Sequence, residues 1–83
     1  MYYVYLLKLE EKGGKNFYVG YTADLKERIK QHKRGDTRTT KSKKFDLVYY
    51  EAYNDKYLAL KREKGLKSSG SVRMALMKRL NLK

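Results

Sequence analysis

The chain has 83 residues, with 21 Lys and Arg against 9 Asp and Glu, and a formal net charge of +12. This length fits one domain, residues 1–83, that buries about 60–65% of its unfolded surface. Because it contains no cysteine, a disulfide framework and a thiolate metal site are excluded, which fits a reducing cytoplasm. With no apolar run of about 20 residues and no leader pattern, neither a membrane span nor a signal peptide is expected.

The positive charge predicts attraction to polyanions. Nucleic acid is the first choice of partner, because each phosphate that a cation neutralises releases bound counterions. An anionic membrane surface is the alternative, and a basic protein that is merely solvated is a third interpretation. Nine tyrosines accompany the charge. They could stack on bases, although most are expected in the core or on a sheet face.

Three strands are expected along the chain. Residues 2–9 are apolar on both alternating faces, which predicts a central strand covered on both sides. A polar loop over 10–16 contains two glycines and leads to a shorter antiparallel strand over 17–21. The third strand is expected over 45–53. Gly20 is interpreted as a residue that permits a turn after the second strand.

Three helices are expected from caps and periodicity. The first covers about 24–34, with Asp24 as its N-cap and Thr22 as a rival. A second begins at a cap at residue 54 or 55 and ends near residue 66, and a third covers about 71–80. The predicted fold class is therefore α+β, with one three-stranded sheet and three helices.

Two places in this pattern could carry chemistry. Arg28 and His32 are four residues apart and share one side of the first helix, and Tyr18 comes from the strand that leads into it. These three side chains could converge, or they could belong to a solvated basic face. On the second helix, Glu63 lies on the apolar side with Ala59. An unpaired carboxylate is costly there, so Glu63 either pairs with a cation or serves as a metal ligand or acid–base group.

A group of basic residues follows the first helix and continues into a polar loop over 36–44. Basic side chains and hydroxyls suit the phosphate oxygens of a nucleic-acid backbone, although a solvated loop would have the same composition. The candidate nucleic-acid-binding residues are Lys33, Arg34, Arg38, Lys41, Lys43 and Lys44.

Taken together, the order and spacing of these residues resemble the GIY-YIG nuclease superfamily, in particular its small stand-alone members. Tyr3-Val4-Tyr5 stands where that family has Gly-Ile-Tyr, and Tyr18-Val19-Gly20 where it has Tyr-Ile-Gly. Arg28 and His32 match its Arg-x-x-x-His, and Glu63 is similar to the glutamate that binds the metal. The resemblance covers nearly the whole chain.

The resemblance implies a sheet of order 2-1-3 with the first strand central, and hydrolysis of a DNA phosphodiester in repair or recombination. It implies one divalent cation, Mg²⁺ or Mn²⁺, held by Glu63, with Arg28 stabilising charge on the phosphate. The resemblance implies that Tyr18 is the general base and that Tyr5 has a supporting role as a hydrogen-bonding residue. His32 is the other candidate base, because its ordinary pKa lies near neutrality.

The sequence also departs from the family pattern. Thr22 stands in the segment where the repair branch has a lysine after the second motif, and no separate DNA-targeting domain fits in this length. Three hypotheses follow: a metal-dependent DNA endonuclease, a nucleic-acid-binding module with little or no cleavage, and a basic protein that depends on a protein partner for targeting.

Overall fold

The computed structural model describes residues 1–11, 14–35 and 44–82. Within these ranges the chain forms the predicted α+β arrangement of three strands and three helices. The strands reach further than expected, because the first hairpin stays paired up to Glu11 and Gly14. The elements are β1 (Tyr2–Glu11), β2 (Gly14–Thr22), α1 (Leu25–Lys33), β3 (Lys44–Tyr53), α2 (Lys56–Ser68) and α3 (Gly70–Arg79).

The sheet has the order β2-β1-β3, and both pairings are antiparallel. This confirms the prediction that the first strand is central. The pairing of β1 with β3 slips by one residue between Leu6 and Leu7, which face Tyr49 and Leu47. Val48 is the extra residue of this bulge. Val48 and Tyr49 therefore pack on the same side of the sheet.

The helices cover opposite faces of the sheet, as the two-sided apolar pattern of β1 requires. α2 and α3 cover one face, and the buried core there comprises Val4, Leu6, Val19, Ala59, Leu66 and Leu76. α1 covers the other face, where Leu25 and Ile29 pack on a second buried group consisting of Tyr5, Leu7 and Leu9.

Side-chain caps start the helices where the sequence predicted. Asp24 is the N-cap of α1 and accepts the Glu27 N–H at 3.1 Å. The rival, Thr22, also contributes, since its hydroxyl accepts the Asp24 N–H at 3.1 Å. Gly35 follows the end of α1 with φ of 72°, the left-handed conformation that favours glycine. Asp55 caps α2 through two backbone N–H groups.

Gly20 lies inside β2, so the prediction of a turn at this residue is wrong. It pairs across the sheet with Tyr5, whose side chain is almost fully buried. A Cβ built on Gly20 would lie 2.3 Å from Cζ of that tyrosine. The glycine is therefore required because an aromatic ring occupies the space of a side chain.

A charged network that the sequence did not reveal joins β3 to α2. Nε of Arg62 lies 3.0 Å from Oε1 of Glu51, whose side chain is 13% exposed. The hydroxyls of Tyr49 and Tyr53 donate to the same carboxylate at 2.7 and 2.6 Å. Burial by itself raises the pKa of Glu51, but the hydrogen bonds from Arg62 and the two tyrosines outweigh it, so the pKa lies below its ordinary value of 4.5.

We expect Glu51→Gln to lower the free energy of unfolding by about 2 kcal/mol at pH 7, because charge-assisted hydrogen bonds are lost in a poorly solvated place. Since the pKa of Glu51 is depressed on folding, this contribution is present above the ordinary value of 4.5 and is lost as the pH falls toward the folded value. Urea unfolding at pH 7 and pH 3 measures this. An equal difference between wild type and variant at both values would contradict it.

Candidate active site

The candidate site is centred on Tyr5, in the middle of the central strand. Its hydroxyl shares a hydrogen bond of 3.0 Å with Nε2 of His32, from the last turn of α1. The two side chains are 2% and 3% exposed. The predicted stripe on α1 thus brings His32 inward, onto the sheet, rather than to solvent.

Aromatic rings surround the imidazole. The ring centroids of Tyr5, Tyr18 and Phe45 lie 5.8, 6.2 and 5.7 Å from that of His32, each at a steep angle. Tyr5 and Tyr18 are also neighbours, with their centroids 6.3 Å apart. One aromatic ring from each of the three strands therefore packs against the imidazole and holds it in a fixed orientation.

Burial and nearby charged groups shift the pKa values of Tyr5 and His32. Burial raises the pKa of the Tyr5 hydroxyl well above its ordinary value; Tyr18 raises it further, Arg28 opposes the rise, and Glu63 adds to it. Burial lowers the pKa of His32, and Arg28 lowers it further. At neutral pH the Tyr5 phenol is therefore protonated and the His32 imidazole neutral. The guanidinium from α1 and the carboxylate from α2 both lie close enough to influence the phenol.

Glu63 lies at the edge of the buried side of α2, with its side chain 20% exposed. It is paired, since Nζ of Lys67 lies 3.3 Å from its Oε2. The same ammonium lies 5.6 Å from the centroid of the Tyr18 ring. Lys67 therefore lies between Glu63 and Tyr18. It was not among the residues predicted from the sequence. The spacing of four residues between Glu63 and Lys67 was the signal that could have found it.

Glu63 is the carboxylate of this site that could hold a single hard cation. Among residues 1–11, 14–35 and 44–82, no three His, Cys, Asp or Glu side chains group closely enough to hold a metal ion. Glu63 would then be the protein ligand, with water and phosphate oxygens as the others. Mg²⁺ suits such a site, because it keeps several waters and binds through one or two carboxylates together with substrate phosphates.

The structure brings together all five predicted site residues, Tyr5, Tyr18, Arg28, His32 and Glu63.

The predicted nucleic-acid-binding residues are only partly described. Lys33 and Lys44 are exposed, and Arg34 is exposed with its guanidinium 3.7 Å from Glu27. Arg38, Lys41 and Lys43 lie outside the described residues. Across the described helices, none is long and apolar enough to cross a membrane.

Comparison with known proteins identifies relatives of this chain. A UPF0213 protein of Staphylococcus aureus (strain Mu50 / ATCC 700699) is 36% identical over 69 residues, which cover 81% of this chain and 80% of that protein. A UPF0213 protein of Haloquadratum walsbyi is 30% identical over 69 residues, covering 81% and 74%. No solved structure matches significantly. The family described as the GIY-YIG catalytic domain matches residues 1–73, and this chain therefore belongs to the GIY-YIG family.

Proposed function

We propose that this protein is a metal-dependent endonuclease that hydrolyses a phosphodiester bond of DNA. The observation that carries the proposal is the convergence of a phenol pair, a guanidinium and a carboxylate around one point of the sheet. Arg28 of α1 and Glu63 of α2 both lie close enough to the Tyr5 phenol of β1 to act on it electrostatically. These are the groups that phosphoryl chemistry requires: a cation site, a cation for the phosphate and a proton acceptor.

Arg28 and Glu63 provide the charge stabilisation. The guanidinium is permanently charged and presents a fork of donors that matches phosphate oxygens, so Arg28 binds and stabilises the phosphate as negative charge grows on it. The Glu63 carboxylate is the protein ligand for the cation. When bound there, Mg²⁺ or Mn²⁺ supplies charge stabilisation for the leaving oxygen.

Tyr18 is the best candidate for the general base. Tyr5 is held protonated by burial, and His32 is buried with Nε2 bonded to the Tyr5 hydroxyl; these two side chains position the site. Tyr18 is only half-buried and lies beneath the Lys67 ammonium. Lys67 thus places a cation beside the Tyr18 ring, at a site without the lysine that the repair branch has after its second motif.

The net charge of +12 supports DNA as the substrate. Lys33 at the end of α1 and Lys44 at the start of β3 line a common surface, which Glu10 and Asp46 share. We assign these two lysines, together with Arg34, Arg38, Lys41 and Lys43, to binding of the DNA backbone. Contacts of this kind hold a duplex without reading its sequence.

We expect the protein to nick supercoiled plasmid in Mg²⁺ or Mn²⁺ and to lose that activity in EDTA, because Glu63 holds the cation. Arg28→Ala should lower the nicking rate by at least about 100-fold, since it removes a positive charge that stabilises the transition state. Agarose gels report the rate, and fluorescence anisotropy reports DNA binding. Nicking that persists in excess EDTA would contradict the proposal.

One observation favours the binding module as a second candidate. The Glu63 carboxylate already has a cation partner in Lys67 at 3.3 Å, which would explain how an acidic group is retained there without a metal. DNA binding by the wild-type protein, with no nicking in either Mg²⁺ or Mn²⁺, would support this candidate over the enzyme.

A further inference from the structure

α1 covers only part of the sheet face on which it packs. It shields Tyr5, Leu7 and Leu9 of β1. On β3, by contrast, Leu47 and Tyr50 are 38% and 54% exposed. These two large apolar side chains border an open groove between α1 and β3, which neither Arg28 nor His32 lines.

The floor of this groove is aromatic and aliphatic. The rings of Tyr3 and Tyr50 meet edge to face, with their centroids 6.2 Å apart and an angle of 63°. Leu47, Leu25 and Ile29 complete the apolar surface. The groove has a volume of about 590 Å³, within the range of about 300–1,000 Å³ that ligand sites occupy.

The α1 side of the groove is basic. Lys26, Lys30 and Lys33 recur at intervals of four and three residues, so they line one side of the helix at steps of about 6 and 4.5 Å along its axis. Asp24 is the acidic side chain among the residues that line the groove, and its carboxylate caps α1. The groove therefore combines a row of cations with exposed aromatic rings.

We infer that this groove binds a segment of single-stranded nucleic acid, with phosphates along the three lysines and bases on Tyr3 and Tyr50. A groove of positive charge with aromatic platforms is the general means of binding single strands. A duplex fits less well, because its bases are stacked on one another and cannot reach the aromatic floor. The groove shares Lys33 with the backbone contacts proposed above, but it contains none of the proposed cleavage residues and does not depend on cleavage.

The test measures the fluorescence anisotropy of a labelled oligothymidylate with the 83-residue chain in EDTA. We expect Tyr50→Ala to weaken binding about fivefold or more, because it removes a stacking platform, and Tyr50→Phe to restore it. Lys30→Ala should lower the slope of affinity against salt by about 0.7, the value for one phosphate of a single strand. Alanine is favoured in helices, so this second variant keeps the fold.

Tyr57→Ala is the matched control. Tyr57 is 83% exposed at the start of α2, away from the groove, and its loss should change affinity by less than about twofold. The inference is overturned if Tyr50→Ala binds as wild type does, if Tyr57→Ala loses as much, or if an acidic peptide competes better than unlabelled oligothymidylate. Because EDTA prevents metal-dependent cleavage, failure of the nuclease proposal leaves this result unaffected, and the reverse also holds.

Discussion

The Glu63→Gln protein should bind DNA but fail to nick it. The amide keeps the volume of the side chain and loses the charge that holds a divalent cation. We expect the Mg²⁺-dependent nicking rate to fall by at least about 100-fold, with DNA affinity kept or slightly raised because one repulsive carboxylate is gone. On one preparation, gels measure the nicking rate, fluorescence anisotropy measures DNA affinity, and thermal melting measures stability.

Folding should survive this substitution. The pair of Glu63 with Lys67 has the spacing of four residues, and the lysine is 48% exposed. Pairs of this kind contribute about 0.3–0.5 kcal/mol, which corresponds to a fall of about 2–3 °C in the melting temperature for a chain of this size. A loss of activity therefore cannot be attributed to unfolding.

Glu51→Gln is the matched control. It makes the same chemical change at a second carboxylate, one that pairs with Arg62 of α2. It should lower the melting temperature by roughly 10 °C, following the expected loss of about 2 kcal/mol, while nicking per folded molecule is unchanged. The two variants would thus separate a site carboxylate from a structural one. Undiminished nicking by Glu63→Gln would overturn the assignment of the metal ligand.

Gly20→Ala should destabilise the protein more than Glu51→Gln or Glu63→Gln does. The added methyl group would lie 2.3 Å from Cζ and 2.4 Å from the hydroxyl oxygen of Tyr5. That ring is buried and bonded to His32, so it has little freedom to move. We expect a loss of about 2–3 kcal/mol and a melting temperature lower by roughly 10–20 °C, measured by circular dichroism.

Nicking by the Gly20→Ala protein should also fall at temperatures where it is folded, because accommodating the methyl group displaces the Tyr5 hydroxyl from His32. Gly65→Ala is the control, since nothing lies within 4 Å of its added Cβ. At that position in α2, alanine should stabilise the protein by about 0.5–1 kcal/mol.

A double-mutant cycle identifies the contact. Tyr5→Leu removes the outer part of the ring, so Gly20→Ala should cost little in that background, with a coupling of about 2 kcal/mol. Additive effects of the two substitutions would show that the destabilisation has another origin.

Local sequence patterns predicted much of the fold. The apolar character of both faces of β1 indicated a central strand, because alternate residues of a strand face opposite sides of the sheet. Asp24 and Asp55 marked the starts of two helices, since a carboxylate there accepts backbone N–H groups that lack partners. The spacing of Arg28 and His32 likewise placed both on one side of α1. Each of these inferences depends on backbone geometry within a few residues.

The contacts that shape the site depend on residues distant in the chain. His32 meets Tyr5 across 27 positions, and Arg62 meets Glu51 across 11. The role of Gly20 follows from its register opposite Tyr5, which no local pattern encodes, and a turn was predicted there instead. The exposed surface at Tyr50 similarly follows from how much of the sheet α1 covers.

The sequence alone therefore determined the central place of the first strand and the starts of the first two helices, because these depend on periodicity and capping. Its resemblance to the GIY-YIG superfamily supplied the full set of candidate site residues. Only the tertiary structure decided that His32 is buried against Tyr5, that Lys67 joins Glu63 to Tyr18, and that a basic groove remains open beside α1. These features arise where strand register and helix packing bring separate segments together, and such distances are not a property of any one segment.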